Sequence, residues 1–169
     1  MIILNAPFKE SDLMQLNPFD RVLINGTLYM ARDAAHKRMF EQGIPFDVKD
    51  QGLYYCGPSP EKPGEIIGSA GPTSSYRMDK YSPSLMDKGL KVMIGKGRRN
   101  MDVVSSIIRN KCVYFGAIGG LGAKLSKCIK KQEIIAYWDL ETEALRKIEV
   151  ENFPVVVIIN CKGESIYDR

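Results

Sequence analysis

Cysteine is sparse in this sequence and carries no pattern. Four occur in 169 residues, Cys56, Cys112, Cys128 and Cys161, and none falls in a C-x-x-C or C-x-x-C-H arrangement. No convincing thiolate set for an iron–sulfur cluster is present, and no metal site is expected on this chain. An export signal is missing too: Met1 to Phe8 is apolar but has no basic flank and stops at Pro7. Disulfides are therefore not expected, and a reduced cytoplasm is the expected setting. Cys112 and Cys161 lie in or beside apolar runs and read as small buried hydrophobes. Long hydrophobic runs are absent. A spanning helix needs about 18 apolar residues, whereas the longest stretch here, Pro154 to Ile159, reads as a buried strand. Charge of one sign is lacking as well: 24 basic and 20 acidic residues leave a net +4. That is too mild to argue for nucleic acid, although it suits small anionic ligands. His36 is the single histidine. One turn into its segment, it reads as a structural side chain, because no cysteine or carboxylate partners accompany it as a metal site would need.

What is present is ordinary for a globular protein, with 44% hydrophobic and 26% charged residues. One domain over residues 1–169 is the simplest reading. The first half is rich in turns. Arg21–Asn25 and Thr27–Met30 read as strands divided by Gly26, followed by a helix over Asp33–Gln42 with Asp33 as its cap. Leu53–Cys56 and Ile66–Ile67 read as strands, and Gly68–Ser75 as a loop of small residues. The second half alternates. Strands are expected at Leu90–Ile94, Val113–Phe115, Glu133–Tyr137, Val155–Ile159 and Ser165–Tyr167. Helices are expected at Met101–Arg109 (capped by Asn100), Leu121–Lys130 and Glu141–Ile148. Such alternation indicates an α/β protein with a largely parallel sheet.

Three loops could hold an anion. Arg32 precedes a helix N-terminus, where free N–H groups and a planar guanidinium suit a carboxylate. Gly71-Pro72-Thr73-Ser74-Ser75-Tyr76-Arg77 joins small residues, hydroxyls and an arginine. Gly95-Lys96-Gly97-Arg98-Arg99 follows a strand, where α/β proteins place ligands. Each has a plainer use, in a solvated helix face or a turn. Lys96 is not part of a P-loop, since the glycine spacing is wrong and no hydroxyl residue follows it. The run Gly116–Gly122 fails the dinucleotide spacing and reads as a tight turn. A threonine or serine hydroxyl is a poor base unless cations stabilise its alkoxide, and the residues alone do not choose among Thr73, Ser74 and Ser75.

The strings Ala31-Arg32-Asp33-Ala34-Ala35-His36-Lys37-Arg38, Gly68-Ser69-Ala70-Gly71-Pro72-Thr73-Ser74, Arg77-Met78-Asp79 and Met93-Ile94-Gly95-Lys96-Gly97 occur in this order. With Glu143 to Pro154 as a closing segment, the set resembles the beta subunit, or C-terminal region, of the iron–sulfur class I fumarate hydratases and L-tartrate dehydratases. The likeness runs from about Leu23 to Tyr167. It implies a swivelling β/β/α domain: a central, mostly parallel sheet, helices on one side and a smaller antiparallel sheet on the other. It implies a hydro-lyase that adds or removes water on a dicarboxylate of the fumarate/malate type. The [4Fe–4S] cluster would be carried by a partner alpha subunit, in a hetero-oligomer that could also pair through this chain. The same likeness assigns substrate binding to Arg32, Arg77 and Lys96, and the catalytic base to Thr73. Tyr76 departs from the family, which more often has a small residue before the arginine.

Two further readings compete. One is the L-tartrate dehydratase beta subunit, with a different hydroxy-dicarboxylate as substrate. The other is a non-catalytic anion-binding module using the same loops. Intact Arg32, Thr73, Arg77 and Lys96 argue against a site that has decayed.

Overall fold

The computed structural model describes residues 1–117 and 122–168. Its strands are β1 (Ile2–Asn5), β2 (Arg21–Met30), β3 (Gly52–Tyr54), β4 (Val92–Gly95), β5 (Val113–Ala117), β6 (Ile129–Ala136) and β7 (Leu145–Ile159). The helices are α1 (Glu10–Leu13), α2 (Asp33–Gln42), α3 (Ser82–Asp87), α4 (Met101–Asn110) and α5 (Gly122–Ser126), with 3-10 segments at Ser75–Met78 and Trp138–Glu143.

The strand order is β1-β2-β3-β4-β5-β7-β6, and β2 also pairs with β7. The second pairing closes β2, β3, β4, β5 and β7 into a barrel-like ring. β1 to β5 run parallel to one another, whereas β7 is antiparallel to β2, β5 and β6. The mixed α/β class expected from the sequence holds. The antiparallel part is hydrogen-bonded to the parallel strands within one sheet, because β7 is 15 residues long and reaches both.

Strand alternation divides the apolar residues between two cores. Val22, Ile24, Tyr54, Val92, Ile94, Val113, Phe115, Ile148, Val155 and Val157 belong to the inner core. Their neighbours Leu53, Tyr55, Met93 and Tyr114 belong to the outer core. There they pack against Ala35 and Met39 of α2, Leu85 and Met86 of α3, and Val103 and Ile107 of α4. Cys56, Cys112 and Cys161 are buried, as expected for the last two. Burial pushes the thiols of Cys56 and Cys112 up to about 12 and that of Cys161 up to about 11.

Several sequence expectations are corrected. Residues 21–30 form one strand, in which Gly26 marks a bulge and not a break. Gly26 has φ 108°, and a Cβ there would lie 3.0 Å from the Ala6 carbonyl oxygen. The helix expected over Leu121–Lys130 is confined, among the described residues, to Gly122–Ser126, and Ile129 already begins β6. The helix expected over Glu141–Ile148 is a 3-10 segment that ends at Glu143, after which Leu145 starts β7. Good helix formers at 145–148 yield here to pairing on both sides, with β2 and β6. Ile66–Ile67 forms no strand, and Ser165 makes only an isolated bridge to Ile159. β1, α1 and α3 were not expected. The tight turn expected at Gly116–Gly122 falls largely outside the described residues. No helix among the described residues is long and apolar enough to cross a membrane.

Candidate functional site

The parallel strands end on one rim. Met30, Tyr54 and Gly95 are the last residues of β2, β3 and β4. The antiparallel β7 begins beside them, with Arg146 paired to Met30. Arg32 and Asp33 follow β2 directly. The loop after β3 returns so that the Thr73 amide donates to the Tyr55 carbonyl (2.8 Å). Lys96 follows β4, where Ser74 and Lys96 form a parallel bridge. The fold thus brings all three candidate loops to the carboxyl ends of the strands.

Arg77 is the centre of the cluster. Its Nη2 donates to Thr73 Oγ1, and its Nε lies 2.8 Å from Asp33 Oδ2. The other Asp33 oxygen is 3.5 Å from Arg32 Nε, which is also 3.5 Å from Glu143 Oε1. Glu143 in turn accepts from the Ala34 amide at 3.1 Å. The α2 N-terminus is therefore met by a carboxylate supplied from just before β7. Arg32 occupies the cap position, and Asp33 is the first helical residue, not the cap expected from the sequence. Arg32, Asp33, Thr73, Arg77 and Glu143 are all half-buried. An open concavity of about 440 Å³ adjoins Asp33, Arg77 and Glu143 and is lined also by Lys37, Lys80 and Tyr81.

The three neighbouring hydroxyls have different environments. Ser75 is buried; its Oγ accepts from Tyr114 Oη (2.7 Å) and from the Lys96 amide (3.1 Å), which fits a structural post. Ser74 is held in the bridge to Lys96. Thr73 alone of the three has its hydroxyl on an arginine among the described contacts. Lys96 is fixed through its backbone, while its side chain is exposed. Tyr76 is 64% exposed and does not intervene between Arg77 and Thr73.

Beneath the loops lies a buried ionic post. Arg99 Nε meets Asp79 Oδ1 at 2.6 Å, with the two side chains 0% and 8% exposed. Arg99 Nη2 also donates to Ser82 Oγ (2.8 Å) and Tyr55 Oη (3.2 Å), and the guanidinium lies over the Tyr114 ring. Asp79 directly follows the 3-10 segment that carries Arg77, so this pair ties the segment to the start of α4. Such a pair is costly to break, because either partner alone is an unpaired buried charge.

His36 is fully buried, its Nδ1 2.9 Å from the Arg32 carbonyl, and burial pushes its pKa down to about 4. It is the structural side chain expected from the sequence. Among the described residues, no three His, Cys, Asp or Glu side chains are grouped so as to hold a metal ion. Another open concavity, of about 700 Å³, lies over β6 and β7, where Lys130, Lys131 and Lys147 alternate with Glu133, Glu149 and Glu151. Its lining charges balance.

Sequence reasoning took Asp33 as a helix cap and named Asp79, Arg99 and Glu143 only within longer strings, without a role of their own. Glu143 reaches Ala34 across 109 positions, a distance that no local pattern signals.

The fold is a closed mixed α/β sheet with arginines, a threonine and a lysine loop at its carboxyl rim. The chain belongs to the family described as Fumarase C-terminus, whose match covers residues 1–169. It is 37% identical to "Fumarate hydratase class I, aerobic" of Escherichia coli (strain K12), over 98% of this chain and 32% of that protein. It is 38% identical to "Fumarate hydratase 2" of Leishmania major, over 88% of this chain and 28% of that protein. It is 30% identical to "Putative L(+)-tartrate dehydratase subunit beta" of Methanocaldococcus jannaschii, over 95% of this chain and 88% of that protein. The chain spans about a third of the length of the fumarate hydratases it matches.

Proposed function

We propose that this chain is the beta subunit of a hydro-lyase that reversibly adds water to a dicarboxylate of the fumarate/malate type. In this reading Arg32, Arg77 and Lys96 bind the substrate carboxylates, and Thr73 is the base. The observation that carries the reading is the contact of Arg77 Nη2 with Thr73 Oγ1. A threonine hydroxyl ionises only where cations stabilise its alkoxide. Arg77 stands against the oxygen, and the Lys96 loop is bridged to the adjacent Ser74. A substrate gripped by guanidinium groups would present its carbon-bound proton to the Thr73 alkoxide, which takes it as the hydroxide on the neighbouring carbon leaves. In the reverse direction the threonine returns it. Orientation of this kind lowers the barrier by fixing the reacting atoms before reaction.

The [4Fe–4S] cluster is proposed on a partner alpha subunit, where it would act as Lewis acid toward the hydroxyl that leaves. The swivelling β/β/α arrangement would let this rim face that partner in a cytoplasmic hetero-oligomer. The isolated chain is then expected to be inactive. Co-expression with a candidate alpha chain under anaerobic conditions, followed by malate, fumarate and tartrate turnover, tests the reading. No activity on any of the three would reject it. In an active pair, Arg77→Ala should lose at least about 2 kcal/mol of transition-state stabilisation, roughly 30-fold in kcat/KM.

A second reading, the beta subunit of a tartrate dehydratase, is favoured by one observation. The Methanocaldococcus relative, named as a beta subunit, is matched over 88% of its own length. Tartrate turnover exceeding that of malate in the same assay would select it.

A further inference from the structure

We infer that Asp33 is a positioning residue for this site: it holds the Nε edge of Arg77 so that the opposite edge meets Thr73. The inference rests on the hydro-lyase reading and deepens it. A guanidinium is planar, with donors fixed in a fork, so fixing one edge fixes the direction of the other. Asp33 Oδ2 is 2.8 Å from Arg77 Nε, and Thr73 Oγ1 takes the bond from Nη2. Asp33 and Thr73 are the side chains that meet the Arg77 guanidinium by an ion pair and a hydrogen bond among the described residues. Without the first, the long side chain could turn about its terminal torsions and leave Thr73.

Three further facts support the assignment. Asp33 opens a ten-residue helix, so its backbone is anchored while its side chain faces the rim. Its Oδ1 is buried and 3.5 Å from Arg32 Nε, so one carboxylate stands between both arginines. Glu143 supports Arg32 from the other side and also takes the Ala34 amide, so α2 has an acceptor that does not depend on Asp33. The carboxylates meet the arginines at Nε, which leaves terminal guanidinium nitrogens for Thr73 and for a substrate carboxylate.

A carboxylate at a helix N-terminus is also favourable in itself, so the test must separate placement from charge. Three variants, Asp33→Asn, Asp33→Glu and Asp33→Ala, are assayed in the reconstituted alpha–beta pair, with melting temperatures measured alongside. Asn removes the charge and can keep an acceptor oxygen toward only one of the two arginines. Glu keeps the charge and moves the oxygens outward by a methylene. Asn is expected to lose less kcat than Glu or Ala. Glu and Ala are expected to lose roughly ten- to a hundredfold in kcat, with KM changed less, as for a reacting group displaced by about 1 Å. Wild-type kcat in Ala, or Glu equal to wild type with Asn impaired, overturns the inference. If the Ala protein fails to fold, the order of Asn and Glu decides. A wild-type pair inactive on malate, fumarate and tartrate removes the hydro-lyase reading and this inference with it. An active wild type with the reversed order removes the inference alone.

Discussion

His36 is the clearest titration in the molecule. Its pKa is pushed from 6.5 down to about 4, first by burial and then by nearby Arg99, against the opposing bond to the Arg32 carbonyl. The folded ring is therefore neutral across a range in which the unfolded ring is already protonated. Between about pH 6.5 and 4 the unfolded chain holds more protons, so stability falls as the pH drops through that window and is complete above it. The full effect is on the order of 3 kcal/mol. Urea midpoints at pH 7.5 and pH 5 should differ in the wild type, and this difference should shrink in His36→Gln. At this scale the sequence was partly legible. A lone histidine without ligand partners reads correctly as structural, and the arginines and Thr73 stand out by residue type and order. Asp33 looked like a helix cap because aspartate at that place usually is one. Its turn toward Arg77 depends on a loop that comes more than forty positions later, about which the local string is silent.

Among the elements, the end of β4 carries the tightest constraint. A Cβ on Gly95 would lie 2.0 Å from Ser75 Oγ and 2.8 Å from Tyr55 Cδ2. Gly95→Ala must displace the serine that ties Lys96 to the Thr73 loop. It should cost about 1–3 kcal/mol by overpacking and lower turnover of the reconstituted pair, checked by denaturant melts and steady-state rates. Asn100→Ala is milder. Asn100 Oδ1 accepts from the Val103 amide at 2.9 Å, and losing this cap should cost about 1 kcal/mol without altering kcat. That cap was legible, as was most of α2 and α4, because their signals are local. β7 was legible only at Val155–Ile159, where it is continuously apolar. Its first part mixes Arg146, Lys147 and Glu149 with Leu145 and Ile148 and so resembles a helix. Only the ladders on both sides make it a strand, and ladders are not written in a single segment.

The whole molecule is organised by the β2–β7 pairing. Alternation in the sequence indicated an α/β sheet, but ring closure was hidden, since Arg21 meets Val156 and Met30 meets Arg146. The closed strands should be the most stable part. In hydrogen exchange, amides of Val22, Ile24, Val155 and Val157 are expected to open only with global unfolding, while the outer strands Ile2–Asn5 and Ile129–Ala136 exchange sooner. Equal protection throughout would contradict this ordering.

That same closure sets a timetable for the newborn chain. A polypeptide is made from its N-terminus, so β2 emerges before β7 and waits with an open edge for a partner synthesised more than a hundred residues later. Contacts so distant along the chain form slowly, and an unpaired edge invites the wrong neighbour in the meantime. Glu143, which braces Arg32, is translated immediately before β7. The site and the ring of strands are thus completed together, and a ribosome stalled before residue 143 would hold a chain that has its arginines but not the carboxylate that braces Arg32.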